Sequence, residues 1–294
     1  DPARVVVTSG SSAGFLLAFL SLFEAGARVV IGEPGYPSYR NILKALDLVP
    51  VGVATGPETR FQPAPRHLAD LGFEGLLVAS PANPTGTMLG RAELAALAGA
   101  CADRGAAFIS DEIYHGIQYE GRRPVTALEV TDEVFVINSF SKYFSMTGWR
   151  VGWMVVPEAH VRSVERLQQN LFICAPHASQ VAALGALEAR EECEAIVAGY
   201  TRNRAILLEG LPKAGFGRLA PCDGAFYLYA DLEGISEDSR DFAARMLAEA
   251  GVAATPGLDF DPGRGRRTLR FSFAGSEADM EEAVQRLTAW MGRR

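Results

Sequence analysis

Lysine is what this sequence has least of among its charged residues. Only Lys44, Lys142 and Lys213 occur among 28 basic side chains, so arginine carries almost all the positive charge. Thirty-five acidic residues leave a formal net charge of −7. With no extended basic run, that balance argues against a protein that grips a nucleic-acid backbone. Cysteine is sparse too: Cys101, Cys174, Cys193 and Cys222 include no Cys-x-x-Cys pair, which excludes the common zinc and redox-dithiol spacings. In a chain of 294 residues they read as reduced thiols of a cytoplasmic protein, not as a disulfide framework. His67, His115, His160 and His177 lack metal-ligand spacing. The longest apolar stretch, Ala13 to Phe23, is interrupted by Ser21 and closed by Glu24, too short to span a bilayer. No signal peptide opens the chain. It starts at Asp1 and enters a strand at once, so a further segment upstream is expected. What is present is ordinary: 48% hydrophobic and 21% charged residues, enough apolar surface for one large or two ordinary folded domains.

Short β-branched runs alternate with Ala/Leu-rich stretches along the chain. Arg4–Thr8, Arg28–Ile31, Val49–Ala54, Gly75–Ala79, Ala106–Ser110, Val134–Asn138 and Val151–Val156 read as strands. Ala13–Ala25, capped by Ser11 or Ser12, Ser38–Leu46 and Glu93–Arg104 read as helices between them. Such alternation predicts an α/β fold, a mostly parallel sheet sandwiched by helices. A long helical stretch from about Pro176 to Leu211 follows, then strands Phe226–Ala230 and Leu269–Phe273 with amphipathic helices. We read residues 1–190 as a large domain and 191–294 as a smaller α+β domain.

In an open α/β sheet, ligands sit outside the carboxyl ends of the strands. Four predicted strands end there in polar residues: Gly10-Ser11-Ser12, Asn83, Asp111, and Ser139-Phe140-Ser141-Lys142. A small, polar, phosphorylated ligand would suit such a place. Gly10 permits close backbone approach, and the free N–H groups of the following helix attract an anion; a plain helix cap is the alternative. Asp111 follows the apolar run AAFIS and could equally be a turn carboxylate. Lys142 follows a buried-looking strand, where a strongly hydrated ammonium is costly. An amine can lose its proton and condense with a carbonyl, whereas a guanidinium cannot; a salt-bridged surface lysine is the alternative. Arg150 would add a fork-shaped phosphate partner.

The segment SFSKYFSMTGWRVG resembles the cofactor-lysine signature of class I/II aminotransferases, which are fold type I pyridoxal-phosphate enzymes. It is joined in the family's order by TSGSSAG, EPGYPSY, SPANPTG, SDEIY and LRFSFA, so the resemblance runs from Val5 to the C-terminus. It implies a fold type I large domain and a homodimer that exchanges an amino group between an L-amino acid and a 2-oxo acid. The cofactor implied is pyridoxal 5'-phosphate, held by Lys142 as a Schiff base; Lys142 then shuttles the substrate's proton. Asp111 would pair with the pyridine nitrogen. Asn83 and Tyr114 would hydrogen-bond the ring's phenolic oxygen, and Tyr36 would stack on the ring face, where an ordinary loop tyrosine is the alternative. Gly10, Ser11, Ser12, Ser139, Ser141 and Arg150 would surround the phosphate. Arg270, in the alternating strand TLRFSF, would bind the substrate α-carboxylate, with a solvent-exposed strand arginine as the alternative. No metal, membrane or nucleic acid is implied.

One departure stands out: the resembled family carries an N-terminal segment ahead of its first strand here, with a mobile helix, a glycine-containing loop and a tyrosine reaching the partner subunit. Two other outcomes of the same framework are a β-elimination lyase and the aminotransferase-like effector domain of a transcription regulator.

Overall fold

The computed structural model describes residues 1–293. Its elements run β1 (Val5–Thr8), α1 (Gly10–Leu22), β2 (Arg28–Glu33), α2 (Pro37–Ala45), β3 (Val49–Ala54), β4 (Gly75–Ala79), α3 (Arg91–Ala102) and β5 (Ala107–Asp111). Then come β6 (Phe135–Ser139), β7 (Gly152–Val155), α4 (Glu158–Leu171), α5 (His177–Glu188) and α6 (Arg190–Lys213). The chain closes with β8 (Arg218–Leu219), β9 (Tyr227–Asp231), α7 (Ser239–Ala250), β10 (Thr255–Pro256), β11 (Thr268–Ser272) and α8 (Glu277–Met291).

Seven strands form one sheet in the order β1-β7-β6-β5-β4-β2-β3. The ladders among β2 to β6 are parallel, while β7 runs antiparallel to both β6 and β1. Its central strands are near-continuous apolar runs because both faces are covered. Ile31, Leu77, Ile109 and Ile137 point to one side, against Phe15, Leu17 and Phe19 of α1 and Leu43 of α2. Val30, Leu76, Val78, Phe108 and Val136 point to the other, against Leu94 and Leu97 of α3. The second sheet is antiparallel, β10-β11-β9-β8, and its core includes Leu228, Leu269 and Phe271 packed with Leu207, Phe242 and Leu287 from α6, α7 and α8.

Two local departures from the sequence expectation have physical causes. The expected helix from Pro176 to Leu211 is interrupted: α5 ends at Glu188, the next residue Ala189 leaves the helical region with φ −85° and ψ 43°, and α6 starts at Arg190. The α1 N-cap is Ser9, not Ser11 or Ser12, and its side chain makes no capping hydrogen bond. Gly10 takes φ +76°, which turns the chain sharply enough to start the helix one residue after Ser9. Ser11 and Ser12 therefore sit in the first turn, where backbone N–H groups lack helical partners.

The loops after β4 and before β9 are stitched together. The Gly86 carbonyl accepts from both Asp223 N (2.9 Å) and Gly224 N (2.9 Å). The Asp223 carboxylate, buried, accepts from Arg60 Nη2 and from Met88 N, with Arg122 also beside it. This join sets Asn83, on one loop, near Tyr227, which follows the other.

Candidate active site

The carboxyl edge of the large sheet and the second sheet enclose a cavity of about 330 Å3. It is lined by Ser11, Ser12, Tyr36, Asn83, Asp111, Tyr114, Ser141, Lys142, Arg150 and Arg270, ten of the twelve expected site residues. A larger crevice of about 700 Å3 lies beside Phe61, Tyr229 and Arg264 and holds none of them. Its arginines are already paired, Arg264 with Asp261, Arg266 with Asp238 and Arg267 with Glu237. Chemistry, not size, singles out the smaller cavity.

Asp111 is the last residue of β5 and only 3% exposed. Burial lifts its carboxyl to about 6, even though Tyr39, the Ile113 N–H and Lys142 all favour the ionised form. Ile113 N donates to Oδ1 (3.0 Å) and the Tyr39 hydroxyl donates to Oδ2. A buried carboxylate that needs this much support stays ionised most readily beside a positive group, such as a protonated ring nitrogen. Its neighbour Glu112 points the other way along the extended chain and is consumed structurally, accepting from Ala127 N (2.8 Å) and Ser110 Oγ (3.1 Å).

Lys142 lies three residues beyond β6, with its Nζ 5.8 Å from the Tyr114 ring centre and 5.7 Å from that of Phe226. Burial lowers its amine from the usual lysine range, opposed by Asp111 and assisted by Arg270 and Arg150. An amine so placed is more often unprotonated and nucleophilic than a surface lysine.

An anion cradle forms at the start of α1. Arg150, at φ 52°, donates from Nη1 to the Thr147 carbonyl (2.8 Å) and approaches Ser141 Oγ (3.5 Å). A Cβ built on Gly10 would lie 2.5 Å from Arg150 Nη2, so only glycine lets the guanidinium reach the helix's first turn. Positive charge, unpaired first-turn N–H groups and two serine hydroxyls suit a phosphate. Ser139 stands apart from the expectation: it is buried, and its hydroxyl lies within reach of Ser141 Oγ (2.9 Å) and the Val151 carbonyl (3.1 Å), outside the cavity lining. Its bonds hold the β6 end and orient Ser141. Gly10 likewise shapes the cradle from behind Arg150.

Arg270, central in β11, enters from the second sheet. Nη1 donates to Asn83 Oδ1 (2.9 Å) and Nη2 to Thr255 Oγ1 (3.2 Å). Its Nε is buried with no hydrogen-bond partner. An orphaned guanidinium donor is costly and marks a place for an incoming acceptor such as a carboxylate.

Sequence reasoning missed Tyr39 and Tyr227. Tyr39 sits in the first helical turn three residues after Tyr36, and the two rings meet edge to face at 5.4 Å. That i, i+3 spacing was the available signal. Tyr227 lines the cavity too, and its signal was a polar tip in the otherwise apolar run FYLYA.

An amine, a buried acid, an anion cradle and an arginine with an open donor, gathered on one cavity between the two sheets, suit amine and carbonyl chemistry. The profile of the family "Aminotransferase class I and II" matches residues 1–287. A Mycobacterium tuberculosis valine–pyruvate aminotransferase is 49% identical over 99% of this chain and 76% of its own length. A solved structure from Silicibacter pomeroyi is 65% identical, with TM-score 0.98 over 100% of this chain and 79% of that one. The crystal structure of an aminotransferase from Mycobacterium tuberculosis is 49% identical, with TM-score 0.97 over 100% of this chain and 77% of that one. The chain belongs to the class I and II aminotransferases. Its fold is fold type I, and members of this family generally use pyridoxal 5'-phosphate.

Proposed function

We propose that this aminotransferase holds pyridoxal 5'-phosphate in the cavity between its two sheets and moves an amino group between an L-amino acid and a 2-oxo acid. The observation that carries the reading is the meeting of Lys142, Asp111, Arg150 and Arg270 on one cavity from three separate stretches of chain: the end of β5, the β6–β7 connection and β11. The pair in the relative's name, valine and pyruvate, is the substrate pair to try first.

The residues present fit that group. Gly10, the first turn of α1, Ser141 and Arg150 hold its phosphate. Asp111, steadied by Tyr39 and the Ile113 N–H, holds a proton on its ring nitrogen. Asn83 and Tyr114 hydrogen-bond its ring oxygen, and Tyr36 covers the ring. When bound, the cofactor supplies a carbonyl for the amine and a ring that accepts electrons. Lys142 would provide the attachment point, and its free amine would take and return the proton at the substrate's α-carbon. Arg270 fixes the substrate by its carboxylate, which fills the donor capacity left open at Nε.

We further infer a cytoplasmic homodimer, with residues 1–190 as the cofactor-binding domain and 191–294 as the smaller one. Ile173 (79% exposed), Leu184 (66%), Leu187 (57%) and Val181 (54%) cluster on and before α5, an apolar surface suited to a second copy. Among the described residues no helix is long and apolar enough to cross a membrane.

The test is reduction with borohydride after incubation with pyridoxal phosphate, followed by peptide mass mapping. The adduct is expected on Lys142 and absent in K142A; an equal adduct in K142A overturns the assignment. Incubating the loaded protein with L-valine then tests transfer, which leaves the pyridoxamine form and a 2-oxo acid, while β-chloro-L-alanine, which carries a β leaving group, tests elimination, which releases chloride, pyruvate and ammonia.

A further inference from the structure

Tyr227 has no part in the roles just described, yet it touches two of the residues that carry them. Its hydroxyl lies 2.9 Å from the hydroxyl of Tyr114. The guanidinium carbon of Arg270 lies 4.3 Å from the centre of its ring, and 4.7 Å from that of Phe260. Strand register explains the second contact: Arg270 pairs with Tyr229 and Ser272 with Tyr227, so Tyr227 is the diagonal neighbour of Arg270 on one face of the sheet.

The hydroxyl pair shares one proton, and its direction matters. Among the described residues, Tyr114 is the hydrogen-bond partner of the Tyr227 hydroxyl. If Tyr227 donates, the Tyr114 proton is left for the cavity; if Tyr114 donates, it is spent. Burial raises both phenols and Arg270 lowers both, while the Asp111 carboxylate pushes Tyr114 further up. With the Arg270 guanidinium 4.3 Å from its ring centre and the Asp111 carboxylate on the Tyr114 side, Tyr227 is the better donor of the pair. The other charged or titratable groups around the pair are Tyr36 and Tyr200 beside Tyr227 and Lys142 over the Tyr114 ring.

We propose that Tyr227 is a positioning residue with two separable tasks: its hydroxyl donates to Tyr114, turning the Tyr114 proton toward the cofactor's ring oxygen, and its ring seats the Arg270 guanidinium for the substrate carboxylate. This rests on the function proposed above, in which Tyr114 faces the ring oxygen and Arg270 the carboxylate. The first task is carried by one oxygen atom and the second by the aromatic face, so two substitutions divide them.

The experiment compares Y227F, Y227L and Y114F, each loaded with pyridoxal phosphate and checked for the borohydride adduct on Lys142. The first readout is the pH midpoint of the visible cofactor band. Y227F is expected to move it in the same direction as Y114F by about a third as much, the share that one cooperative hydrogen bond adds to the next. The second readout is pyruvate binding by calorimetry. Y227F, which keeps the ring, is expected to bind within about twofold of the parent, and Y227L about fivefold more weakly, the size of a partly desolvated cation–π contact. A Y227F midpoint equal to the parent's, while Y114F shifts, overturns the hydroxyl task. Parent-like pyruvate binding by Y227L overturns the ring task. Loss of the Lys142 adduct in the parent protein would instead overturn the function on which the inference stands.

Discussion

The two sheets serve the cavity in different ways. The seven-stranded sheet contributes residues from its strand ends and the loops beyond: Asn83 after β4, Asp111 at the end of β5, Ser141 and Lys142 after β6. The four-stranded sheet contributes side chains from within its strands, Tyr227 at the start of β9 and Arg270 in the middle of β11. A parallel sheet brings all its carboxyl ends to one edge, so residues far apart in sequence converge there without any strand giving up its apolar core. An antiparallel sheet offers one face, so Arg270 reaches the cavity while Leu269 and Phe271 on either side fill the core beneath. The edge can therefore hold a chemical group from several directions, while the face can grip a ligand only through neighbours on adjacent strands. In the function proposed above, bond chemistry belongs to the first sheet and carboxylate recognition to the second.

That division breaks most visibly at Lys142. K142A is expected to lower kcat by about 10²–10⁴-fold, the usual reach of a positioned proton-transfer group. Binding of pyruvate to the loaded variant should stay within a few fold of the parent, measured by calorimetry, because Arg270 is untouched. A K142A protein that loses pyruvate binding as severely as turnover would erase the distinction between the sheets.

Arg270 is the converse case. R270L removes the half-buried, hydrogen-bonded guanidinium proposed to pair with the substrate carboxylate, and is expected to cost about 3 kcal/mol or roughly two decades in kcat/KM. Most of that loss should appear in KM, and the borohydride adduct on Lys142 should form as in the parent. An adduct lost along with affinity would mean that the second sheet also holds the cofactor.

Asp111 sharpens the comparison through stability. Its carboxyl sits at about 6 in the folded protein against 3.8 when unfolded, so the fold holds its proton more tightly than the open chain does. Folding is then penalised above pH 6, by up to about 3 kcal/mol at roughly 1.4 kcal/mol per unit, and the penalty fades as pH falls from 6 to 4. Without cofactor, D111N should be more stable than the parent by about 2 kcal/mol at pH 7.5 in urea unfolding. The gain should vanish near pH 4, while the variant's turnover collapses. A parent-like midpoint at pH 7.5 would mean that Asp111 carries no unrelieved charge in the empty site.

Much of this was legible in the sequence, for a physical reason. The strands buried on both faces are unbroken apolar runs, and each run ends in the polar residues that the edge presents. Hence Gly75–Ala79 is bounded without error, and Asn83, Asp111 and Lys142 can be picked from position before any resemblance is invoked. The two-residue strands Arg218–Leu219 and Thr255–Pro256 carry no periodicity to read, and they exist only because β9 and β11 offer edges to pair with. Ser139 looked like a phosphate ligand because hydrophilic strand ends point to the cavity on average; its hydroxyl instead binds Val151 and Ser141 in the adjoining turn. Tyr39 and Tyr227 escaped because each acts through a partner distant in sequence, Asp111 72 residues away and Tyr114 113 residues away. No local pattern encodes such a pairing.

Tyr39 supplies the smallest expected effect and the finest test of how the edge works. Its hydroxyl donates to the Asp111 carboxylate, and that bond lowers the Asp111 carboxyl against the burial that raises it. Phenylalanine keeps the ring that packs edge to face on Phe15 at 5.2 Å, so Y39F removes the donor with little change in packing. The Asp111 carboxyl should then rise above its value of about 6, because burial is opposed by one hydrogen bond fewer. Activity that needs ionised Asp111 should show its acid limb displaced upward by about half a unit, with kcat/KM at pH 8 reduced less than about threefold, the range of one hydrogen bond. A full pH profile of parent and variant reads the shift directly. If Y39F lowers activity equally at every pH, Tyr39 acts by shaping the cavity wall, and the carboxylate at the end of β5 is held by the Ile113 N–H alone.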